Sequence, residues 1–290
     1  MELSDQEWSA QRRYLFAVAY RMLGSVADAE DAVQDTWLRV RAASPGDVTD
    51  LRAWLTTVVS RLCLDQLKSA RVRRESYVGT WLPEPLVDYD DSDLTDRLET
   101  AELLRLPALL LLEQLSPAER VAFVLHDGFG MDYDRLGTVL SRAPGACRQL
   151  VSRGRRALTA ERSPEQGTDP AEVERIISAV VEASRSGDVA ALVEVLHPEI
   201  VLRSDGGGVV RAALRPVVGA DKVSRLMVGL TRLYPQLKFR ADTVNGAPGA
   251  LLVDAEATIG VVAYGLRDGR LVTIDLILAP DKLARVEVAL

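Results

Sequence analysis

Tyr133-Asp134-Arg135-Leu136-Gly137-Thr138-Val139-Leu140-Ser141-Arg142-Ala143-Pro144-Gly145-Ala146-Cys147-Arg148-Gln149-Leu150-Val151-Ser152-Arg153-Gly154-Arg155-Arg156-Ala157-Leu158 contains two helical patterns and a tight break between them. Tyr133–Leu140 reads as a short helix and Ser141-Arg142-Ala143 as a turn. A longer helix follows from Pro144, with proline in its favoured place at the first helical position. Steps of three and four put Cys147, Leu150, Val151, Gly154 and Leu158 on one face. Arg148, Gln149, Ser152, Arg153, Arg155 and Arg156 fall on the other, with Arg142 in the turn. A buried stripe, a sharp turn and a basic face together make a helix-turn-helix. Its arginines suit phosphates, and Arg and Gln suit base edges in a major groove. The plainer reading is a helical hairpin with a solvated basic face.

The chain around this stretch has 290 residues, enough for two or three small domains. Its net charge of −7 looks wrong for a DNA-binding protein, but placement matters more than the total. Segment 51–75 has six basic and two acidic residues, and segment 142–162 has six and one. Between them, segment 84–102 has eight acidic residues and one basic. Beyond residue 170 the charges nearly balance.

The first 75 residues read as three helices. Gly24 stops the first and Ser25 caps the second, which buries Ala29, Ala32, Val33, Thr36, Trp37 and Val40. Asp28, Asp31, Gln34 and Asp35 form its polar face, suited to basic groups on a partner helix. Asp50 caps the third, which ends in Lys68-Ser69-Ala70-Arg71-Val72-Arg73-Arg74. Arg61, Lys68, Arg71, Arg73 and Arg74 can hold strand phosphates there. Trp54 is the nearby aromatic, with a core position as its plainer reading.

From residue 76 to about 96 periodicity vanishes, and Pro83, Pro85 and the acidic cluster read as an unstructured linker. Ser116-Pro117-Ala118-Glu119 is a capping box that opens a further helix. A second linker precedes Pro170. After it, helices are expected over 171–185, 189–196 and from a cap at Asp221 to Tyr234. Strands are expected over 237–244, 250–255, 258–266 and 270–278, with hairpin turns at Asn245-Gly246 and Asp268-Gly269. This arrangement predicts helices on one side of a curved antiparallel sheet.

Several chemistries were weighed on the residues. Cys63 and Cys147 lie in separate helices, so no disulfide is expected and a reducing cytoplasm is the natural home. His126 and His197 lack metal-ligand spacing. No stretch approaches the roughly 18 apolar residues of a membrane span, and Met1-Glu2 through Asp5 lacks a signal-peptide start. No cofactor-binding glycine loop is present. Asp275, in an apolar strand, is a candidate buried acid, with His197 and Asp205 as others. Against catalysis, His197-Pro198 reads as a helix end, Asp205 as a turn residue, and alternation can turn Asp275 outward. Trp81, between prolines, needs somewhere to bury its ring. It can tuck locally or dock on the C-terminal domain.

Leu115–Leu125 and Ala146–Arg156 resemble region four of a sigma factor of the extracytoplasmic-function type. Tyr20-Arg21-Met22-Leu23-Gly24 with Asp28–Trp37 resembles region two, as does Ala53-Trp54-Leu55 through Arg74. The resemblance implies core RNA polymerase binding by Asp28, Asp31, Gln34 and Asp35. It implies minus-ten recognition by Trp54, Arg61, Lys68, Arg71, Arg73 and Arg74. Minus-thirty-five recognition falls to Arg142, Arg148, Gln149, Ser152, Arg153, Arg155 and Arg156. Trp81-Leu82-Pro83-Glu84-Pro85, Asp205-Gly206-Gly207-Gly208 and Asp281-Lys282-Leu283 after Pro280 resemble motifs of a subgroup with a fused SnoaL-like domain, of the nuclear-transport-factor type of fold. There the domain acts as a built-in regulator, and those three motifs are its expected regulatory contacts.

The expected organisation is multidomain. Two all-α sigma domains, region two over 1–76 and the region-four helix-turn-helix over 98–162, are joined by a linker over 77–97. After a second linker, 163–170, comes the α+β regulatory domain over 171–290. Expected partners are core polymerase, promoter DNA and an unidentified small molecule in the C-terminal domain, with no membrane. No enzymatic activity is expected. Ala143, Val209 and Ala279 depart from the relatives' serine, lysine and asparagine. Gly145 and Gly154 weaken the recognition helix on propensity alone. A ligand-binding regulator that works without polymerase and a small isomerase with a helical appendage remain the alternatives.

Overall fold

The computed structural model describes residues 5–43, 50–75, 77–87, 103–160, 170–255 and 257–286. The chain forms two compact units. Residues 1–75, 91–104 and 108–161 make the first, and 76–90, 105–107 and 162–290 the second.

The first unit is helical. Its N-terminal block is α1 (Asp5–Leu23), α2 (Val26–Ala43) and α3 (Leu51–Glu75). Ser25 Oγ accepts the Asp28 amide at 3.2 Å, and Asp50 Oδ1 accepts that of Ala53 at 3.0 Å, so both expected caps form. Leu15, Val18, Tyr20, Met22, Ala29, Ala32, Leu55 and Val59 fill the space between the three helices.

The second block is α4 (Leu106–Glu113), α5 (Pro117–Phe123), α6 (Tyr133–Leu140) and α7 (Pro144–Ala160). The capping box at Ser116 and Glu119 starts α5, which runs into a π-helical turn over Val124–Gly128. Ser141 turns the chain between α6 and α7 with φ 53°. Gly137 is required there, because a Cβ would stand 2.7 Å from the Arg142 carbonyl oxygen. Gly154 has a packing role that outweighs its poor propensity: its Cα face lies against Phe123, 3.1 Å from where a Cβ would be.

The two blocks pack together, α3 against α5 and α6. Arg61 Nη2 donates to the Thr138 carbonyl at 2.6 Å, and Arg135 pairs with Asp50 at 3.2 Å. Tyr14 meets the edge of Phe129, whose face lies under Arg21. At the centre, Arg120 is buried and pairs with Glu113. Burial pulls its guanidinium down to about 9.

The second unit is α+β. Helices α8 (Pro170–Ser186), α9 (Val189–Val195) and α10 (Ala220–Leu233) cover one face of an open six-stranded sheet. Its strands are β1 (Leu196–Asp205), β2 (Val217–Val218), β3 (Lys238–Val244), β4 (Ala247–Asp254), β5 (Ala257–Arg267) and β6 (Arg270–Ile277), in the order β2-β1-β6-β5-β4-β3. A short helix, α11 (Pro280–Leu283), follows. Val173, Ile177, Val180, Leu192, Val223 and Val228 pack on Ile200, Leu202, Leu252, Val262, Tyr264 and Ile274.

Several expectations change. The sheet is mixed, because β1 runs parallel to β6. His197 and Pro198 lie in β1 rather than at a helix end, and Asp205 is a buried strand terminus rather than a turn residue. Gly219, with φ 101°, caps α10, while Asp221 sits in its first turn and pairs with Arg225 at 3.0 Å. Residues 77–87 are not loose: they belong to the second unit, with a bend at Val78 and Gly79 and Leu82 through Leu86 buried. Residues 88–97 of the expected linker and the whole of 163–169 fall outside the described residues.

Glu113→Ala strands a buried guanidinium. The expected cost is about 3–5 kcal/mol, measured by chemical denaturation. The paired replacement Glu113→Leu with Arg120→Met should recover most of it, and an unchanged midpoint for Glu113→Ala contradicts the pairing.

Candidate nucleic-acid interface and linker cradle

The recognition-helix pattern has the expected two faces. On α7, Cys147, Leu150, Val151, Gly154 and Leu158 are buried, whereas Arg148, Gln149, Ser152, Arg153, Arg155 and Arg156 are exposed. An open depression of about 580 Å³ is lined by Gly145, Arg148, Gln149, Ser152, Arg153 and Arg156. Arg142 is exposed in the turn, and Arg148 lies over the Tyr133 ring at 5.0 Å. Two arginines are held internally. Arg153 Nε donates to Glu119 at 2.6 Å, and Arg155 donates through Nε and Nη2 to Asp127, each at 2.6 Å. Burial pushes the Glu119 carboxyl up, but its bonds from Ser116 and Arg153 outweigh this and hold it below the usual carboxylate range.

On α2, Asp31, Gln34 and Asp35 are exposed and Asp28 is half-buried, so the polar face is presented as a group. Exposed Leu38 lies one turn on, and Trp37 stacks with Trp8 at 4.7 Å. On α3, Trp54 is half-buried and Lys68 pairs with Asp65 at 2.9 Å. Arg61 is engaged with Thr138, as described above. Arg71, Arg73 and Arg74 follow on the same helical backbone, but their side chains lie outside the described set.

The second unit contains the other candidate site. Its sheet face opposite the helices ends at Asp205, whose side chain is 1% exposed. Four donors reach this carboxylate: Tyr77 Oη at 2.6 Å, the Leu82 amide at 2.9 Å, Lys282 Nζ at 2.7 Å and the Gly207 amide at 3.0 Å. Lys282 Nζ also donates to the Leu82 carbonyl and stands 4.4 Å from the Trp81 ring centre. Burial, then the bond to Asp205, pushes the Tyr77 hydroxyl well above its ordinary value.

The glycines are steric requirements. At Gly206 a Cβ would lie 2.1 Å from the Val210 carbonyl oxygen, and Gly207 has φ 64° against Ala279. The structure thus brings Tyr77, Trp81, Leu82, Asp205, Gly207 and Lys282 into one cluster, with Pro83 through Pro85 buried beside it in the chain. Asp281 is exposed and Leu283 half-buried at its edge, and Val209 points to solvent.

Two participants were missed. Tyr77 precedes the motif, and Asn245 was read only as a turn residue. Asn245 is fully buried, accepts the Leu86 amide at 3.2 Å through Oδ1 and donates its own amide to the Leu86 carbonyl at 2.7 Å. Val87 then bridges to Val244, which extends the sheet edge by one residue. A buried asparagine at positive φ signals more than a turn, but burial is not visible in a sequence.

Asp275 is buried rather than outward, and Arg203 grips it with two bonds of 2.5 and 3.1 Å. Burial raises its carboxyl and Arg203 opposes the rise. His197 Nδ1 accepts the Glu199 amide locally. Neither residue is joined to the other in a catalytic arrangement. Cys63 and Cys147 are buried free thiols. Among the described residues, no helix is long and apolar enough to cross a membrane.

Comparison with known proteins places both helical blocks. Sigma-70 region 2 matches residues 8–73, and Sigma-70, region 4 matches residues 105–158. The ECF RNA polymerase sigma factor SigJ of Mycobacterium tuberculosis is 43% identical over 295 residues, spanning 97% of this chain and 93% of that protein. The chain belongs to the ECF RNA polymerase sigma factors. A probable ECF sigma factor of the same organism, SigI, is 36% identical over 284 residues, spanning 95% of this chain and 93% of its own. The crystal structure of M. tuberculosis SigJ superposes with a TM-score of 0.76 at 40% identity, covering 97% of this sigma factor and 98% of that chain. The first unit therefore holds nearly all of the matched regions two and four, and the second is a sheet-containing C-terminal domain together with residues 76–90 and 105–107.

Asp205→Ala should release the 77–87 segment from this sigma factor's second unit. Hydrogen exchange at the Leu82 amide reads the effect, with protection in the parent and fast exchange in the variant. Retained protection shows that Asp205 is not the anchor.

Proposed function

We propose that this sigma factor binds core RNA polymerase through the polar face of α2, centred on Asp28, Asp31, Gln34 and Asp35. It reads the minus-thirty-five element with α7 and the minus-ten element with α3. Its SnoaL-like domain regulates it in cis by holding residues 77–87. The observation that carries this reading is the basic open face of α7, opposite a fully buried stripe, in a chain whose relatedness to sigma factors runs end to end. Arg148 and Gln149 lie in the first turns of α7, where side chains reach base edges. The carboxylates of α2 project into solvent at helical spacing, a surface that basic residues of a partner complement.

Regulation rests on the connection between the regions. Residues 77–87 join region two to region four, yet they are held by Asp205, Asn245 and Lys282 of the C-terminal domain. Whether they are docked or released changes the chain available between the two promoter-reading regions. Burial of Leu82 and the cation over Trp81 favour docking, and ligand occupancy of the domain is one input that can bias it.

Run-off transcription with core polymerase, comparing the full chain with one ended near Ser163, tests the whole reading. The expected result is transcription by both, at different levels. No polymerase-dependent initiation by either form rejects it. Reversing charge at Asp31 and Asp35 should lower core affinity while the helical content stays intact, and unchanged core binding removes α2 as the anchor. Arg148→Ala should cost about 1–3 kcal/mol on the cognate promoter and relax sequence choice. Equal losses on cognate and scrambled DNA count against Arg148 as a base reader.

A further inference from the structure

The arginines of α7 are not equivalent, and the difference comes from two carboxylates that the turn before α6 and the start of α5 supply. Asp127 lies in the π-helical turn, 16% exposed, and takes two parallel N–H bonds from Arg155. A bidentate arginine–carboxylate pair has the best geometry available to a surface ion pair. Removing the arginine leaves Asp127 largely covered and without that partner, its neighbour being His126 with Nε2 at 3.9 Å. Ordinary exposed pairs are worth under about 1 kcal/mol, but desolvation of one partner raises the cost of separation.

Arg153 is treated differently. It gives only Nε to Glu119, which is already fixed by the Ser116 capping box, and it lines the open depression beside Arg148, Gln149, Ser152 and Arg156. Arg155 does not line it.

We infer that Asp127 withdraws Arg155 from the DNA-binding set, so that α7 meets the duplex through Arg148, Arg153 and Arg156, and Arg155 is an internal strut. Asp127 is then a positioning residue for DNA recognition. It neutralises one of the six exposed polar side chains of the helix and ties α7 to the turn beneath it. Glu119, by contrast, orients Arg153 without consuming it. This inference rests on α7 being the DNA-reading helix.

The test is salt-dependent binding of the full-length chain to a mixed-sequence duplex, because each phosphate contact contributes about 0.9 to the slope of log affinity against log salt. Arg153→Gln and Arg156→Gln should each flatten the slope by about 0.9, and Arg155→Gln should leave it unchanged. Asp127→Asn frees Arg155, so the slope should steepen by about 0.9 and binding at low salt tighten several-fold. Adding Arg155→Gln to Asp127→Asn should restore the parental slope, a reversal that a merely structural role does not produce. Equal flattening by Arg155→Gln and Arg153→Gln overturns the inference while leaving α7 as the DNA-reading helix. If Arg153→Gln and Arg156→Gln also leave the slope untouched, or the parent shows no duplex binding, the DNA-reading assignment fails and the inference with it.

Discussion

A carboxylate with no access to water must find its donors inside the protein, and Asp205 finds four. One comes from its own glycine turn, one from Lys282 and two from the segment at 77–82. The constraint is mutual. Lys282 is also buried, so either charge alone would be costly, and the pair is satisfied only when the Leu82 backbone is present to share it. The three glycine-rich, proline-rich and lysine-bearing motifs are far apart in the chain, yet they are parts of one electrostatic unit. Glycine lets the turn close on Asp205, and α11 delivers the lysine.

The helical unit economises on the same kind of contact. Regions two and four are joined by arginine side chains, and another arginine braces region four from within. Arg61 satisfies a carbonyl on α6, Arg135 pairs with the carboxylate that caps α3, and Arg155 braces the recognition helix. A guanidinium engaged in such a bond is committed to that geometry, so counting basic residues on a helix overstates the charge it presents.

The helical half was nearly legible in the sequence, because its signals are local. Ser25, Asp50 and Ser116 cap as read, and the stripe through Cys147, Leu150 and Val151 is buried as its spacing requires. The C-terminal half was legible in its hairpins, where Asn245-Gly246 and Asp268-Gly269 mark the turns. It was not legible at β1, since Arg203 and Asp205 interrupt the apolar alternation and His197-Pro198 resembles a stop. Those polar residues are explained only by partners distant in sequence: Asp275 for Arg203, and the 77–82 segment for Asp205. The same reason hid the state of 77–87. Its prolines and flanking acids read as loose chain, while the groups that bury it lie more than a hundred residues away. The family motifs point to Trp81, Asp205 and Lys282, which lie together in the second unit, but give no hint of Tyr77 or Asn245.

The docked segment has a mechanical side. Residues 77–87 lie within the second unit, and a chain of that length would reach at most roughly 36–40 Å if drawn out fully. That length lies between the region-two helices and the region-four helices. In the proposed regulation the domain is a spool for that slack, and its grip is shared by Asp205, Lys282 and Asn245.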